Sequence, residues 1–396
     1  MQITIDNWQA VEVLTMSDVQ SPQVHDKIVI ERADLQALFD ALHRRGYRTV
    51  GPTIRDEVIV CDDIDRVEDL PIGWRDVQTN GSYRLAALEE EKVFGFTVSV
   101  HAWKRILYPP VMKLFQAVRD NGQYRLEDDE QEIPQYALIG VRACDLCAIA
   151  ILDQVLANGI YPDPVYAETR RKSFVLAVNC TEAGNTCFCA SMGTGPKARA
   201  GYDLAMTEII EDDNHHFIVE VGSDKGAALV ARVPHREALA AEVAAADEAV
   251  SHAANSMGRV LDTDGLKDVL YRNLESQRWE RLGERCLSCG NCTMVCPTCF
   301  CTTVEDTTDL TGQRAARYRK ADSCFVEGFS YIHGGCVRSS TMSRYRQWMT
   351  HKLATWQDQF GGFGCVGCGR CITWCPVGID ITAEAQKIRE ADKIHA

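Results

Sequence analysis

The sequence predicts a chain in two parts, an α/β or α+β amino-terminal domain over residues 1–255 and a helical domain over residues 256–396. Two observations predict this division. Through the first part, short apolar runs of strand length alternate with segments of helical period, whereas the second part reads mostly as helix around two copies of one cysteine pattern. The 396 residues suffice for two or three domains, and 46 % apolar against 25 % charged residues is the balance of an ordinary globular protein.

In chain order, Leu35, Leu38, Phe39 and Leu42 mark a helix over Ala33 to Arg45, closed by Gly46 in a left-handed cap. Strands are expected at Glu57 to Cys61, at Tyr83 to Leu88 after the Asn80-Gly81 turn, and at Val93 to Val100. Asp120 to Gly122 and the acidic Glu127 to Glu132 read as exposed turn and loop. Tyr136 to Val141 is apolar enough for a buried strand, and Asp145 is placed to cap a helix that runs to Gly159. Phe174 to Val178 is a second buried strand, so the two strands and their helix form a βαβ unit. Asp203 to Glu211 and Phe217 to Val221 read as strands joined by an acidic turn that carries His215 and His216 as solvated surface. Helices follow at Arg236 to Ala254, Asp264 to Leu282, Ser340 to Gln359 and Glu384 to His395.

The cysteine pattern is C-x2-C-x2-C-x3-C-P, once over Cys286 to Pro297 and again over Cys365 to Pro376. Cysteines at every third position of a tight loop aim separate thiolates at separate irons of one cubane, and Gly290 and Gly369 let the backbone approach the sulfurs. In two-cluster ferredoxins the cysteine before the proline ligates the other cluster. One 4Fe-4S cluster is therefore expected on Cys286, Cys289, Cys292 and Cys375, and a second on Cys365, Cys368, Cys371 and Cys296. The helical part becomes a ferredoxin-like dicluster domain. Zinc is the competing ligand, but its sites usually separate two C-x2-C pairs, whereas each run here places four cysteines in eleven residues.

A third metal site follows from the βαβ unit. Its strands end at a ligand crevice, which brings Cys144, at a strand-to-helix corner, towards Cys180, Cys187 and Cys189. A helix amino-terminus lowers a thiol pKa. A third 4Fe-4S cluster, a zinc ion and free redox-active thiols are all open on this spacing, and Cys147 is a fifth candidate for four places. Cys61, Cys299, Cys301, Cys324 and Cys336 read as buried inert thiols, with a thiol or disulfide reductase centred on the last four as the alternative.

The formal net charge of −14 argues against nucleic acid or an anionic membrane as partner. No apolar run reaches membrane-span length, the amino-terminus shows no signal peptide, and eighteen cysteines mostly in cluster spacing suit a reducing cytoplasm. Within this acidic chain Arg314, Arg317, Arg319, Lys320, Arg338, Arg344, Arg346 and Lys352 make the stretch between the runs basic. They either balance cluster and carboxylate charge or present a docking face.

Nearly the whole chain resembles the iron-sulfur β subunit of cytosolic sulfhydrogenase-type nickel-iron hydrogenases and the related iron-sulfur subunit of anaerobic sulfite reductase. The resemblance lies in Arg142-Ala143-Cys144-Asp145, Cys187-Phe188-Cys189 with Ser191 to Thr194, Cys296-Pro297-Thr298-Cys299 with Cys301, Asp322-Ser323-Cys324, and Cys365 to Cys371. Ala321 and Gly335 to Arg338 depart from it. The resemblance implies a non-catalytic electron-transfer subunit. On one side it implies an FAD-containing, NAD(P)-linked flavoprotein subunit, and on the other the small and large subunits of a hydrogenase, or else a sulfite reductase catalytic subunit. It also implies Cys144, Cys180, Cys187 and Cys189 as a ligand set, with Cys147 spare.

Overall fold

The computed structural model describes residues 22–395 apart from 121, 129–131 and 212–213. Its centre is an eight-stranded sheet with the order Arg236–Glu237, Lys27–Glu31, Asn214–Val221, Leu204–Glu211, Phe174–Val178, Tyr136–Val141, Arg48–Arg55, Val58–Asp63. The four strands from Leu204–Glu211 to Arg48–Arg55 are mutually parallel, and antiparallel strands complete both sides. Alternation assigns the faces. Phe174, Leu176 and Val178 point to one core with Leu35, Leu38, Phe39 and Leu42 of helix Leu35–His43. Val175 and Ala177 point to the other, with Leu146, Ile149 and Leu152 of helix Ala143–Leu156. Strands covered on both faces need such continuous apolar runs.

A separate core lies among the carboxyl-terminal helices, where Leu266, Leu270, Trp279, Trp348, Leu353, Ile372, Ile381 and Ile388 pack together. Phe188, from the loop after strand Phe174–Val178, is buried in this second core. A four-stranded antiparallel sheet also spans the two parts. Its order is Thr302–Thr308, Arg314–Ala321, Val111–Asp120, Gln123–Asp128, so strands from either side of residue 255 hydrogen-bond to each other. The carboxyl-terminal part is thus a mixture of helices and strands and not purely helical.

Several local expectations change. Val93 to Val100 is irregular, with bends, and joins no sheet, because side chains take its amides: Val93 and Phe94 donate to the Glu208 carboxylate at 2.6 and 2.8 Å, and Thr97 donates to Asp76 at 2.7 Å. Glu127 and Asp128 end the strand Gln123–Asp128, and the rest of the expected acidic loop lies partly outside the described residues. Two helices, Ala143–Leu156 and Pro164–Lys172, separate the βαβ strands instead of one. His215 and His216 belong to strand Asn214–Val221; His216 is buried, and His215 Nε2 is 2.8 Å from Glu208. The helix expected from Arg236 starts at Ala240, and that from Asp264 divides into Leu266–Arg272 and Arg278–Arg285.

Asp145 is not a cap. It sits inside the first turn of its helix and forms a two-pronged ion pair with Arg370 of the second cysteine run, at 2.7 and 2.9 Å. Arg370 also donates to the Ser99 carbonyl at 2.8 Å, and the two side chains are 1 % and 3 % exposed. Removing one partner of such a pair strands a buried charge. Asp145→Ala is expected to cost about 3–5 kcal/mol, read as a lower denaturation midpoint under anaerobic conditions; a change below about 1 kcal/mol would show that water or another group replaces the carboxylate.

Candidate metal centres

The first cysteine run follows helix Arg278–Arg285 and turns at Gly290, whose φ of 75° places it in the left-handed region. Its thiols Cys286, Cys289 and Cys292 line a cavity, and the other cysteines on that wall are Cys371 and Cys375. The second run turns at Gly367 and Gly369, with φ of 65° and 75°. Cys365, Cys368 and Cys371 line a cavity together with Cys296. Each run's last cysteine therefore stands in the cavity of the other run, and Cys371 borders both. Phe325, Tyr345, Trp348 and Ile381 supply the apolar walls of the first cavity, and the Ser288 and Ile379 amides donate to the Cys286 and Cys375 sulfurs at 3.4 and 3.3 Å.

Burial sets the protonation of these thiols. It pushes Cys365 up to about 12 and raises Cys286, Cys292, Cys368 and Cys371 above the ordinary thiol range. Cys296 goes the other way. The Cys299 thiol donates to it, and the ammonium groups of Lys352 and Lys104 add to the effect, so it lies well below that range. Lys352 is 5 % exposed and reaches Cys296 Sγ at 3.1 Å and Thr298 Oγ1 at 3.0 Å. Burial opposes its charge, but interaction with the sulfurs of Cys296, Cys299 and Cys365 outweighs that cost and holds its pKa well above the lysine value. The lysine lies in a π-helical turn, His351–Thr355, between helices Thr341–Thr350 and Trp356–Phe360. Such a turn often re-aims side chains at functional sites, and the sequence shows only continuous helical period there.

Cys180, Cys187 and Cys189 lie together beyond the carboxyl end of strand Phe174–Val178, and Cys144, beyond that of Tyr136–Val141, packs with Cys189. Cys189 lies within electrostatic reach of Cys180, Cys187 and Cys368, and Cys144 within reach of Cys189 and Cys368. Glycines make room: a Cβ on Gly184 would stand 3.1 Å from Cys187 Sγ, and one on Gly195 would stand 3.0 Å from Cys189 Sγ. Cys147 packs against the cluster of Cys144, Cys189 and Cys368, and its thiol donates to the Thr194 carbonyl at 3.7 Å. The expected lowering of the Cys144 pKa is overturned. Burial dominates the helix end, the Asp145 charge adds to it, and Cys144 is pushed well above the thiol range. Burial also pushes Cys187 up to about 12 and raises Cys180, so metal binding at this group must displace protons.

The third group sits against the second run. Cys187 Sγ is 4.0 Å from the Cys368 carbonyl, and Phe188 N donates to Gly367 O at 2.8 Å. A Cβ on Gly369 would stand 2.4 Å from Thr186 O, so only glycine admits this approach. Among the described residues, no three His, Cys, Asp or Glu groups are disposed to hold a single metal ion. A cubane asks for something different, one thiolate for each iron, and the cysteines set among mostly apolar side chains in the two cavities fit that donor chemistry.

The basic stretch is largely neutralised within the chain. Arg317 pairs with Asp306 at 2.7 Å, Arg346 with Glu275 at 3.2 Å, Lys320 with Glu305 and Arg319 with Asp163, while Lys352 serves the thiols. Charge balance describes these five, and Arg344 donates to the Arg338 and Ser339 carbonyls. Cys299, Cys301, Cys324 and Cys336 are half-buried, and the first three line one further cavity with Trp348, His351 and Lys352. Cys61 is buried, as expected, and burial pushes its thiol up to about 12.

Comparison with known proteins finds the 4Fe-4S dicluster domain family over residues 285–379. Sulfhydrogenase 2 subunit beta of Pyrococcus furiosus is 30 % identical over 334 residues, which cover 82 % of this chain and 95 % of that protein. No solved structure matches.

Two outcomes test these groupings. Cys296→Ala is expected to perturb the signals of the cluster otherwise held by the second run, and Cys375→Ala those of the first, by Mössbauer and EPR spectroscopy; perturbation confined to the run that carries the substitution would refute the exchange. The Cys144→Ser/Cys180→Ser double variant is expected to lose about four irons per chain, while Cys147→Ser keeps them. Full iron retention in the double variant, or stoichiometric zinc in the unmodified protein, contradicts the third site.

Proposed function

The chain belongs to the iron-sulfur β-subunit family of the sulfhydrogenases, and from that premise we propose that it relays electrons between a nickel-iron hydrogenase module and an FAD-containing, NAD(P)-linked subunit. In this reading Cys286, Cys289, Cys292 and Cys375 hold one 4Fe-4S cluster, Cys365, Cys368, Cys371 and Cys296 a second, and Cys144, Cys180, Cys187 and Cys189 a third. Residues 1–255 form the α/β part that carries the third cluster, and residues 256–396 the ferredoxin-like part that carries the other two.

The carrying observation is the serial placement of the three thiol groups. Cys371 borders both cavities of the dicluster part, and Cys368 lies within electrostatic reach of Cys144 and Cys189. Bound clusters supply one-electron carriers at these positions. The protein side chains do the rest. Tyr345, Trp348 and Ile381 exclude water from the first cavity, and Cys289 with Leu287 and Met294 is exposed beside it, which makes this face the candidate contact with a redox partner. Lys352, Arg370 and Arg142 hold buried positive charge beside the thiols, which favours the reduced state.

Purification through a tag on this chain is expected to recover a complex containing nickel and flavin that reduces NAD(P) with hydrogen. The isolated chain is expected to turn over neither sulfite nor disulfides with reduced viologen. A nickel-free complex that consumes sulfite with NADH would select the sulfite reductase assignment instead, and turnover by the isolated chain would make it an enzyme in its own right. Lys352→Met, which keeps the side-chain length and removes the charge, is expected to shift one cluster potential negative in an anaerobic redox titration; an unchanged or more positive potential would remove Lys352 from this role.

A further inference from the structure

The chain continues past the first run as Pro297-Thr298-Cys299-Phe300-Cys301, and this extension folds back over the second run. Thr298 Oγ1 donates to the Gly364 carbonyl at 2.8 Å, and Lys104 Nζ donates to the Cys299 carbonyl at 2.9 Å. Asp322 N donates to the Cys301 carbonyl at 2.9 Å, which seats Cys324 beside Cys301, the Cys324 thiol donating to the Cys301 sulfur. Cys299, Cys301 and Cys324 thereby line one cavity, walled by Phe329, Trp348 and Trp356. The two cavities that hold the ferredoxin-type thiols also set cysteines against aromatic side chains, and this one adds Arg338, Gln347 and His351 to its lining.

Two lysines flank this place. Lys352 is buried on the wall between the second cavity and this one, and its hydrogen bonds go to Cys296 Sγ, Thr298 Oγ1 and the Gly364 carbonyl and not to a carboxylate. Lys104, on the other side, faces Cys299, Cys296 and Cys301.

We propose that Cys299, Cys301 and Cys324 hold a fourth 4Fe-4S cluster, whose remaining iron has no cysteine ligand and faces the cavity towards His351 and Arg338. Cys292 and Cys296 stand beside it, so the site branches from the relay next to both clusters of the dicluster part. An iron without a thiolate is labile: one-electron oxidation of the cubane by ferricyanide releases that iron as Fe²⁺ and leaves a three-iron cluster, with the electron on the ferricyanide.

The test uses the full chain purified anaerobically. About sixteen irons per chain are expected if all four sites are filled, and mild ferricyanide treatment should produce the spin-half signal of a three-iron cluster. In the Cys301→Ser/Cys324→Ser variant about four irons are lost and that signal disappears, while the signals of the dicluster part remain. If the double variant does not fold, Cys301→Ser alone, whose hydroxyl can still ligate iron, should move the potential and EPR signature of one cluster. An unchanged iron count in the double variant, no signal change in Cys301→Ser, or a Cys301–Cys324 disulfide found in iron-loaded protein by mass spectrometry would overturn the proposal.

Discussion

The ion pair between Asp145 and Arg370 is the contact on which the arrangement turns. Asp145 follows Cys144 on the α/β side, and Arg370 lies between Cys368 and Cys371 on the other, so one buried pair sets the distance between two groups of thiols. Its desolvation is costly, and the bidentate geometry with the extra bond to Ser99 offsets that cost. Around it the interface is closed by contacts only small residues permit, with Gly367 against Phe188 O and Gly369 against Thr186 O. Phe188 then buries its ring in the carboxyl-terminal core, and Thr186 Oγ1 meets Thr373 Oγ1 at 2.8 Å. A slip of either surface would displace Cys187 and Cys189 from Cys368.

The chain solves a problem of charge at the same time. An acidic protein that gathers many thiols in dry cavities needs cations inside, and they come from every layer: Arg142 at the end of strand Tyr136–Val141, Arg370 in the second run, Lys104 beside the extension, Lys352 in the π turn. Outside the cavities, arginines of the basic stretch pair with carboxylates on their own or neighbouring strands. The positive residues that look like a surface patch in the sequence are divided between these two tasks.

Features of short range were legible in the sequence. Short apolar runs marked Tyr136–Val141, Phe174–Val178 and Leu204–Glu211, and the spacing of the two cysteine runs announced cluster chemistry. Features that depend on distant partners were not. Val93 to Val100 has strand composition, but Glu208 and Asp76 take its amides. Asp145 reads as a cap in the sequence, and only the fold shows that it lies inside the first turn and that Arg370 claims it. Strands Val111–Asp120 and Arg314–Ala321 lie far apart in the chain, so nothing local signals that they share a sheet. Cys299, Cys301 and Cys324 share no motif, and only the return of the chain at Asp322 gathers them around a cavity.

Magnetic coupling between the clusters tests the account most directly, because it depends on their placement and not on their number. Adjacent paramagnetic clusters split and broaden each other's signals. EPR of the chain fully reduced by dithionite at low temperature is predicted to show a spin-coupled spectrum that simplifies on partial reoxidation. A spectrum equal to the sum of independent, uncoupled signals at every stage of the titration would contradict a relay that passes through both parts of the protein.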